Sequence, residues 1–414
     1  MTDATPPPAP LRIALVSYEV SPTKGSEARH TWYLLQQLAD YNVAVDVYCD
    51  DLSKEGLEGV GLPANCRVFF VPAPRGYLGV RHGVFRTQLP YLVWQRRALR
   101  EIQRNHRDAP YDVAHHLSWG SMALGSPLGS LGIPFVFGPV GGGGATPTVL
   151  KPWFGGIWRR ERARNIFVRT LRINPLSRRT MRSATVTLAS NSETLALARK
   201  LGGRDVRPFI DSPISSSWLR TTPRSLESSE PRRVIWIGRP LARKAPTLAI
   251  EAFARYLEDH PNATMTMLGV RPETQGIGSD LRARGLDESI TVAGFVPFEE
   301  VLRLLDSAHV LLFSSVRDTL GSQLFEAMAR GVPVAAIAIH GAIDLISPDV
   351  GALAPVGEPT ELINGLRDAL VEILDDAQRW NERSRACVEL VTSMTHDVRT
   401  RDLVEIYQTL ATKH

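Results

Sequence analysis

HVLLFSSVRDTLGSQLFEAMARGVPVAAIAI (309–339) decides the fold. HVLLFSS is a short apolar run that ends in hydroxyl residues, which predicts a buried strand. VRDTLG carries turn residues, and SQLFEAMAR places Leu324, Ala327 and Met328 at helix spacing. VPVAAIAI then predicts a second buried strand. Strand, helix and strand in immediate succession make a βαβ unit, and such units build parallel doubly wound sheets.

Reading outward in the second half, RRVIWIG (232–238), ATMTMLG and SITVAGF predict further strands. APTLAIEAFARYL (245–257) predicts an amphipathic helix with Leu248, Ala252, Phe253 and Tyr256 on one face. The first half repeats the alternation. Its strands are LRIALVSY (11–18), VAVDVYC (43–49), CRVFFVPA (66–73), YDVAHHLSW (111–119), IPFVFGPV (133–140) and ATVTLAS (184–190). A helical pattern with Trp32, Leu34, Leu35 and Leu38 follows the first of them. Between the halves the proline- and serine-rich stretch PFIDSPISSSWLRTTPRSLESSEP has little periodicity and marks a linker.

The expected architecture is therefore α/β, with two Rossmann-like doubly wound parallel-sheet domains facing a central cleft. Residues 1–10 are expected to be a disordered tail, 11–210 the first domain and 211–395 the second, with a helix at about 396–414 crossing back to the first. The length of 414 residues suits two domains of about 200 residues each. With 43% apolar and 22% charged residues the composition is that of a soluble globular protein. No apolar run approaches the roughly 18–20 residues that span a bilayer. The opening MTDATPPPAP lacks the basic and apolar regions of a secretory signal. Three scattered cysteines, Cys49, Cys66 and Cys387, are too few for a disulfide framework and too dispersed for a zinc site. They suggest buried small hydrophobes in a reducing cytoplasm.

The net charge of +5 is unevenly placed. Between Lys151 and Arg182 ten basic residues stand against a single acid, Glu161, and Arg75 to Arg104 holds seven arginines against Glu101. These are solvated helix faces or a surface for an anionic partner. Interleaved Trp158, Ile166, Phe167, Val168 and Leu171 make Arg159–Arg182 a candidate for an anionic membrane surface. Aromatic platforms of the kind that bind nucleic acid are absent from the pattern.

Ligands of doubly wound sheets bind at the carboxyl ends of the strands. Five stretches stand there. Gly25-Ser26-Glu27 follows the first strand, where a glycine at a helix N-terminus serves an anion site or a plain turn. WIGRPLARKAP delivers Arg239 and Lys244 past a strand end, as a diphosphate would need, although two surface cations would read the same way. In GPVGGGGATP (138–147) the four consecutive glycines followed by Thr-Pro cannot be regular structure, and make a lid, a linker or a place where backbone passes close to a ligand. His115 and His116 end another strand, and alternation sends them to opposite faces, so at most one meets a ligand. In the opening stretch, Asp318 falls in the loop and Glu326 on the helix. Gly321 and Ser322 at the helix start offer free N–H groups to a phosphate. Carboxylates accept hydrogen bonds from hydroxyls well, and phosphate amid hydroxyls suggests a nucleotide sugar.

These elements together resemble the family 4 glycosyltransferases of the GT-B fold. The likeness rests on GR-x4-K at 238–244, the acid-x7-Glu element Asp318–Glu326, the GSE loop and the D-x-x-H strand before GPVGGG, and it runs from Leu11 to about His414. The resemblance implies that Glu326 binds the nucleotide ribose and that Asp318 stands at a donor-sugar contact. It implies that Arg239, Lys244 and Gly25 meet the diphosphate, and that His116 lies beside the donor sugar. It implies an NDP-sugar donor (UDP or GDP), retention of configuration and no bound metal. The acceptor would be a carbohydrate or lipid-linked hydroxyl in exopolysaccharide, lipopolysaccharide or glycolipid assembly at the inner face of the plasma membrane. Closure about residues 208–216 would exclude water. Asp318 departs from the family's glutamate by one methylene, about 1.5 Å of reach. This departure keeps open a catalytically weak nucleotide-sugar-binding protein, beside a GT-B epimerase or phosphorylase.

Overall fold

Two all-parallel sheets carry the chain, in a computed structural model that describes residues 9–24, 26–74 and 84–412. Gly25 and the first residues of the Arg75–Arg104 stretch lie outside the described residues. The first sheet holds β1 (Leu11–Ser17), β2 (Val43–Asp50), β3 (Cys66–Val71), β4 (Val113–Ser118), β5 (Phe135–Val140), β6 (Val186–Ala189) and β7 (Val206–Pro208). Its strand order is β3-β2-β1-β4-β5-β6-β7. The second holds β8 (Arg233–Ile237), β9 (Thr264–Leu268), β10 (Ile290–Gly294), β11 (Val310–Phe313), β12 (Val334–Ile337) and β13 (Gly351–Ala354), in the order β10-β9-β8-β11-β12-β13. Both orders reverse in mid-sheet, at β1/β4 and at β8/β11, and such reversals are where doubly wound sheets hold ligands.

Alternation along the strands fills both faces of each sheet. In β1, Ala14 and Val16 join a core with Tyr91, Trp94 and Phe137. Ile13 and Leu15 join another with Trp32, Leu35 and Tyr407 on the opposite face. The helix His396–Ala411 supplies Leu403, Val404, Tyr407 and Leu410 to that second core, so the C-terminal segment packs with the first sheet. In the second sheet β11 and β12 are buried along their whole length, which explains their nearly unbroken apolar sequence.

The partition departs from the sequence expectation in one segment. Gly144–Arg169 belongs with the second unit (Pro213–Thr395), not with the first domain expected at 11–210. The cause is apolar: Leu150 and Phe154 sit in one core with Trp236, Leu248 and Phe253. The turn Thr148–Ile157 packs against the turn Ala242–Lys244. The glycine run 141–144 is the crossing point. A Cβ on Gly143 would lie 2.7 Å from Thr194 Cα, and one on Gly138, with φ 124°, would lie 2.3 Å from the Leu188 carbonyl oxygen. At Gly138 and Gly143 glycine lets the backbone approach protein backbone.

Candidate active site

At the β8/β11 reversal two loops are sewn together. Ser314 accepts from Trp236 Nε1 at 2.9 Å, and its hydroxyl lies 3.0 Å from the carbonyl oxygens of both Lys244 and Ala245. Val316 N donates to the Arg243 carbonyl at 2.9 Å. Arg243 Nη1 donates to the Arg317 carbonyl at 3.1 Å and lies 3.2 Å from Asp318 Oδ1. Lys244 is buried and its ammonium binds Asp318 Oδ2, with Gln323 Oε1 at 3.3 Å and the Phe313 ring centroid at 5.2 Å.

Burial pushes the Lys244 ammonium below the ordinary lysine value, and the Asp318 charge offsets this only in part. Burial would raise the Asp318 carboxyl, but Lys244 and Arg243 together outweigh it and hold it below the ordinary aspartate value. A cation kept charged in such a setting interacts more strongly with a ligand anion than one in water.

The next helix, Ser322–Ala329, starts beside this pair. Its N-cap is Gly321, which offers no side-chain acceptor; Leu324 N donates to the Gly321 carbonyl at 2.9 Å, which leaves the Ser322 and Gln323 N–H groups to face an anion. Only glycine fits there, because a Cβ would stand 2.7 Å from the Phe313 ring. Glu326 is half-buried one turn along the same helix. Arg239 follows the end of β8 and is exposed; its carbonyl accepts from Leu241 N at 2.7 Å, and its side chain makes no hydrogen bond or ion pair among the described residues. The structure thus brings Lys244, Asp318, Gly321, Ser322 and Glu326 onto two neighbouring loops and one helix. Sequence reasoning missed Arg243, Ser314 and Gln323. Arg243 was visible as the first cation of ARK; the other two looked like ordinary strand-end and helix residues.

The histidines read differently from the sequence expectation. His116 is fully buried, with Tyr91 Oη 2.9 Å from Nε2 and Ser126 Oγ 2.8 Å from Nδ1. Burial, with His115 adding to it, lowers its pKa to about 3, so the ring is neutral. Both nitrogens are committed to protein, which is the behaviour of a core histidine rather than of a sugar contact. The D-x-x-H spacing from Asp112 in fact ends on His115. His115 is equally buried, and pairs with Tyr407 Oη and the Gly138 carbonyl, each at 2.6 Å.

Among the described residues no group of three or more His, Cys, Asp or Glu is placed to hold a metal ion. All three cysteines are free and buried. No described helix is long and apolar enough to cross a membrane.

Two parallel doubly wound sheets, with a cation–carboxylate pair and an open helix N-terminus at the reversal of the second, define the GT-B class. Comparison with known proteins gives the family. Residues 25–210 match the glycosyl transferase 4-like domain and residues 220–386 the glycosyl transferases group 1 family, so the chain belongs to the family 4 type of GT-B glycosyltransferase. A putative colanic acid biosynthesis glycosyltransferase of Escherichia coli is 28% identical over 199 residues, 46% of this chain and 48% of that one. The chain spans about half the length of the curated relatives it matches. Among solved structures, sucrose-phosphate synthase from Thermosynechococcus elongatus superposes with TM-score 0.68 at 18% identity, over 98% of this chain and 100% of that one. HepE from Anabaena, in complex with UDP, gives TM-score 0.61 at 16% identity, over 97% and 100%.

Proposed function

We propose that the chain moves a sugar from an NDP-sugar, with UDP or GDP as carrier, to an acceptor hydroxyl with retention of configuration. The observation that carries this is the buried Lys244 held at the β8/β11 reversal beside the uncapped start of helix Ser322–Ala329. In the transition state the sugar gains oxocarbenium character and negative charge grows on the leaving diphosphate. Lys244, the exposed Arg239 and the N–H groups of the helix start meet that charge, and preorganised electrostatics of this kind is usually the largest catalytic term. Glu326 accepts from the ribose hydroxyls. Asp318, once displaced from Lys244 by the diphosphate, is free to accept from a sugar hydroxyl. We assign no step to a metal ion.

The colanic acid relative supports a role in exopolysaccharide, lipopolysaccharide or glycolipid assembly, with a carbohydrate or lipid-linked acceptor. Ile166 and Phe167 are exposed among the arginines of helix Trp158–Thr170, which supports docking of Arg159–Arg182 on an anionic membrane at the cytoplasmic face. Co-sedimentation equal on anionic and neutral liposomes would end that part of the reading.

The reaction is tested by incubating the chain with a panel of NDP-sugars, scored first for binding and then for slow hydrolysis and transfer. One or a few donors should bind and turn over. Binding with no turnover, with or without acceptor, would instead favour the nucleotide-sugar-binding protein, the reading that the Asp318–Lys244 pair keeps open.

A further inference from the structure

Helix Trp158–Thr170 has one polar residue type out of keeping with the rest. Glu161 is the single acid among the ten bases of Lys151–Arg182, and it points inward. It is 5% exposed, and Asn165 and Val168 are buried on the same face, whereas Arg159, Arg160 and Arg162 are exposed. A buried carboxylate must be matched by donors and cations. Glu161 Oε1 accepts from Thr146 Oγ1 at 2.7 Å and from Arg164 Nη1 at 3.2 Å. Its third neighbour is Arg317 Nε at 3.4 Å, a buried nitrogen that makes no hydrogen bond.

Arg317 links this carboxylate to the candidate site. It precedes Asp318, and its carbonyl receives Arg243 Nη1 at 3.1 Å, while Arg243 itself lies 3.2 Å from Asp318. The turn Thr148–Ile157, just before the helix, packs on the turn that carries Arg243 and Lys244. The segment therefore reaches the site twice, once through apolar packing and once through a charge. Arg164 keeps other acceptors, the Gly144 carbonyl at 3.0 Å among them, whereas Arg317 Nε has Glu161 as its counter-ion.

We infer that Glu161 is a positioning residue for diphosphate binding: through Arg317 it fixes the 316–318 loop and so the geometry of Arg243, Asp318 and Lys244. The inference rests on the proposed function for its ligand, and on the geometry alone for the loop. It gives a segment from the first half of the sequence a part in a site whose other residues lie beyond residue 238.

The test compares the full chain with Glu161→Gln and with Glu161→Gln/Arg317→Met, by calorimetric titration with UDP and by thermal melting. Glutamine keeps an acceptor for Thr146 but removes the charge that faces Arg317. UDP binding should weaken about tenfold, the coupling expected between contacting residues. In the double variant the unpaired guanidinium is gone, so the melting temperature lost in the single variant should return, while UDP binding stays weak. A merely structural role predicts that binding returns with the melting temperature, and that result, or unchanged UDP binding in Glu161→Gln, would overturn the inference. If the unaltered chain binds neither UDP nor GDP, the proposed function falls first. Hydrogen exchange of 242–245 and 316–320 then decides: faster exchange in Glu161→Gln upholds the tether, and unchanged exchange refutes it.

Discussion

Lys244 and Asp318, 74 positions apart in the chain, meet as an ion pair where the second sheet reverses its strand order. Lys244 is 4% exposed, so its charge needs an anion wherever the donor is absent. A diphosphate and Asp318 offer this ammonium the same kind of oxygen. Under the proposed function, donor binding would exchange one anion for another at this buried cation.

Removing the cation should separate binding from folding. Lys244→Ala leaves Asp318 its Arg243 contact at 3.2 Å, so the chain should still fold, while turnover should drop by about 10²–10³. The alkaline limb is a second test. Burial places the Lys244 pKa below 10.5, so UDP affinity should fall at a lower pH than an ordinary lysine would give. Lys244→Arg, charged to about pH 12 or beyond, should lack that fall. Calorimetric titrations from neutral pH upward check both, and a flat profile to pH 10.5 in the unaltered chain would remove Lys244 from diphosphate binding.

Glu326 tests which half of the nucleotide the helix holds. A carboxylate bonded to ribose hydroxyls contributes about 1.5–3 kcal/mol, so Glu326→Ala should weaken UDP binding roughly 10- to 100-fold. Inorganic diphosphate, which has no ribose, should bind both proteins alike. Equal losses for the two ligands would place Glu326 at the phosphates instead.

Most of the fold was legible because most strands are short, largely apolar runs bounded by turn residues, and length with flanking turn residues identifies such runs. The two strands that escaped are the shortest or weakest of them. β7 is three residues ending in Pro208 at the sheet edge, and β13 is Gly351–Ala354, too small and bland to stand out. The placement of the candidate residues was legible where a loop follows a strand end, as with Lys244 after one strand and Asp318 after another, ahead of the helix that carries Glu326. It was not legible where chemistry depends on which way a side chain turns. His116 and Glu161 are both charged-type residues in suggestive places, and burial sends the first into the core and the second toward Arg317. The placement of Gly144–Arg169 escaped for the same reason, since Leu150 and Phe154 name no partner in the sequence.

Gly321 is a packing constraint whatever its helix start binds. Its added Cβ would approach the Phe313 ring at 2.7 Å and Gln323 Oε1 at 2.9 Å. Gly321→Ala should therefore destabilise the fold by about 1–3 kcal/mol, the usual range for overpacking. Adding Phe313→Leu, which vacates ring volume, should restore part of the loss. Urea unfolding of the two variants measures this, and no recovery in the double variant would mean that the ring is not the obstacle.

Buried neutral histidines should make the first unit acid-labile. His115 has its pKa lowered to about 4 by burial, with the Gly138 carbonyl opposing, and His116 is lowered to about 3. Both sit below the ordinary value near 6.5, so as the pH falls from 6.5 the unfolded chain takes up protons that the folded chain refuses. Stability is then complete above pH 6.5, declines through the window down to pH 4 or 3, and falls no further from these groups once the folded rings also protonate. Each such group accounts for on the order of 3 kcal/mol over its window. Thermal melts at pH 7, 6, 5 and 4 should show the decline, and His115→Gln should show a shallower one because one of the refused protons is gone. Parallel declines in the variant and the unaltered chain would assign the acid lability to other groups, His30 and His396 first among them, whose pKa values burial lowers to about 3 and about 4.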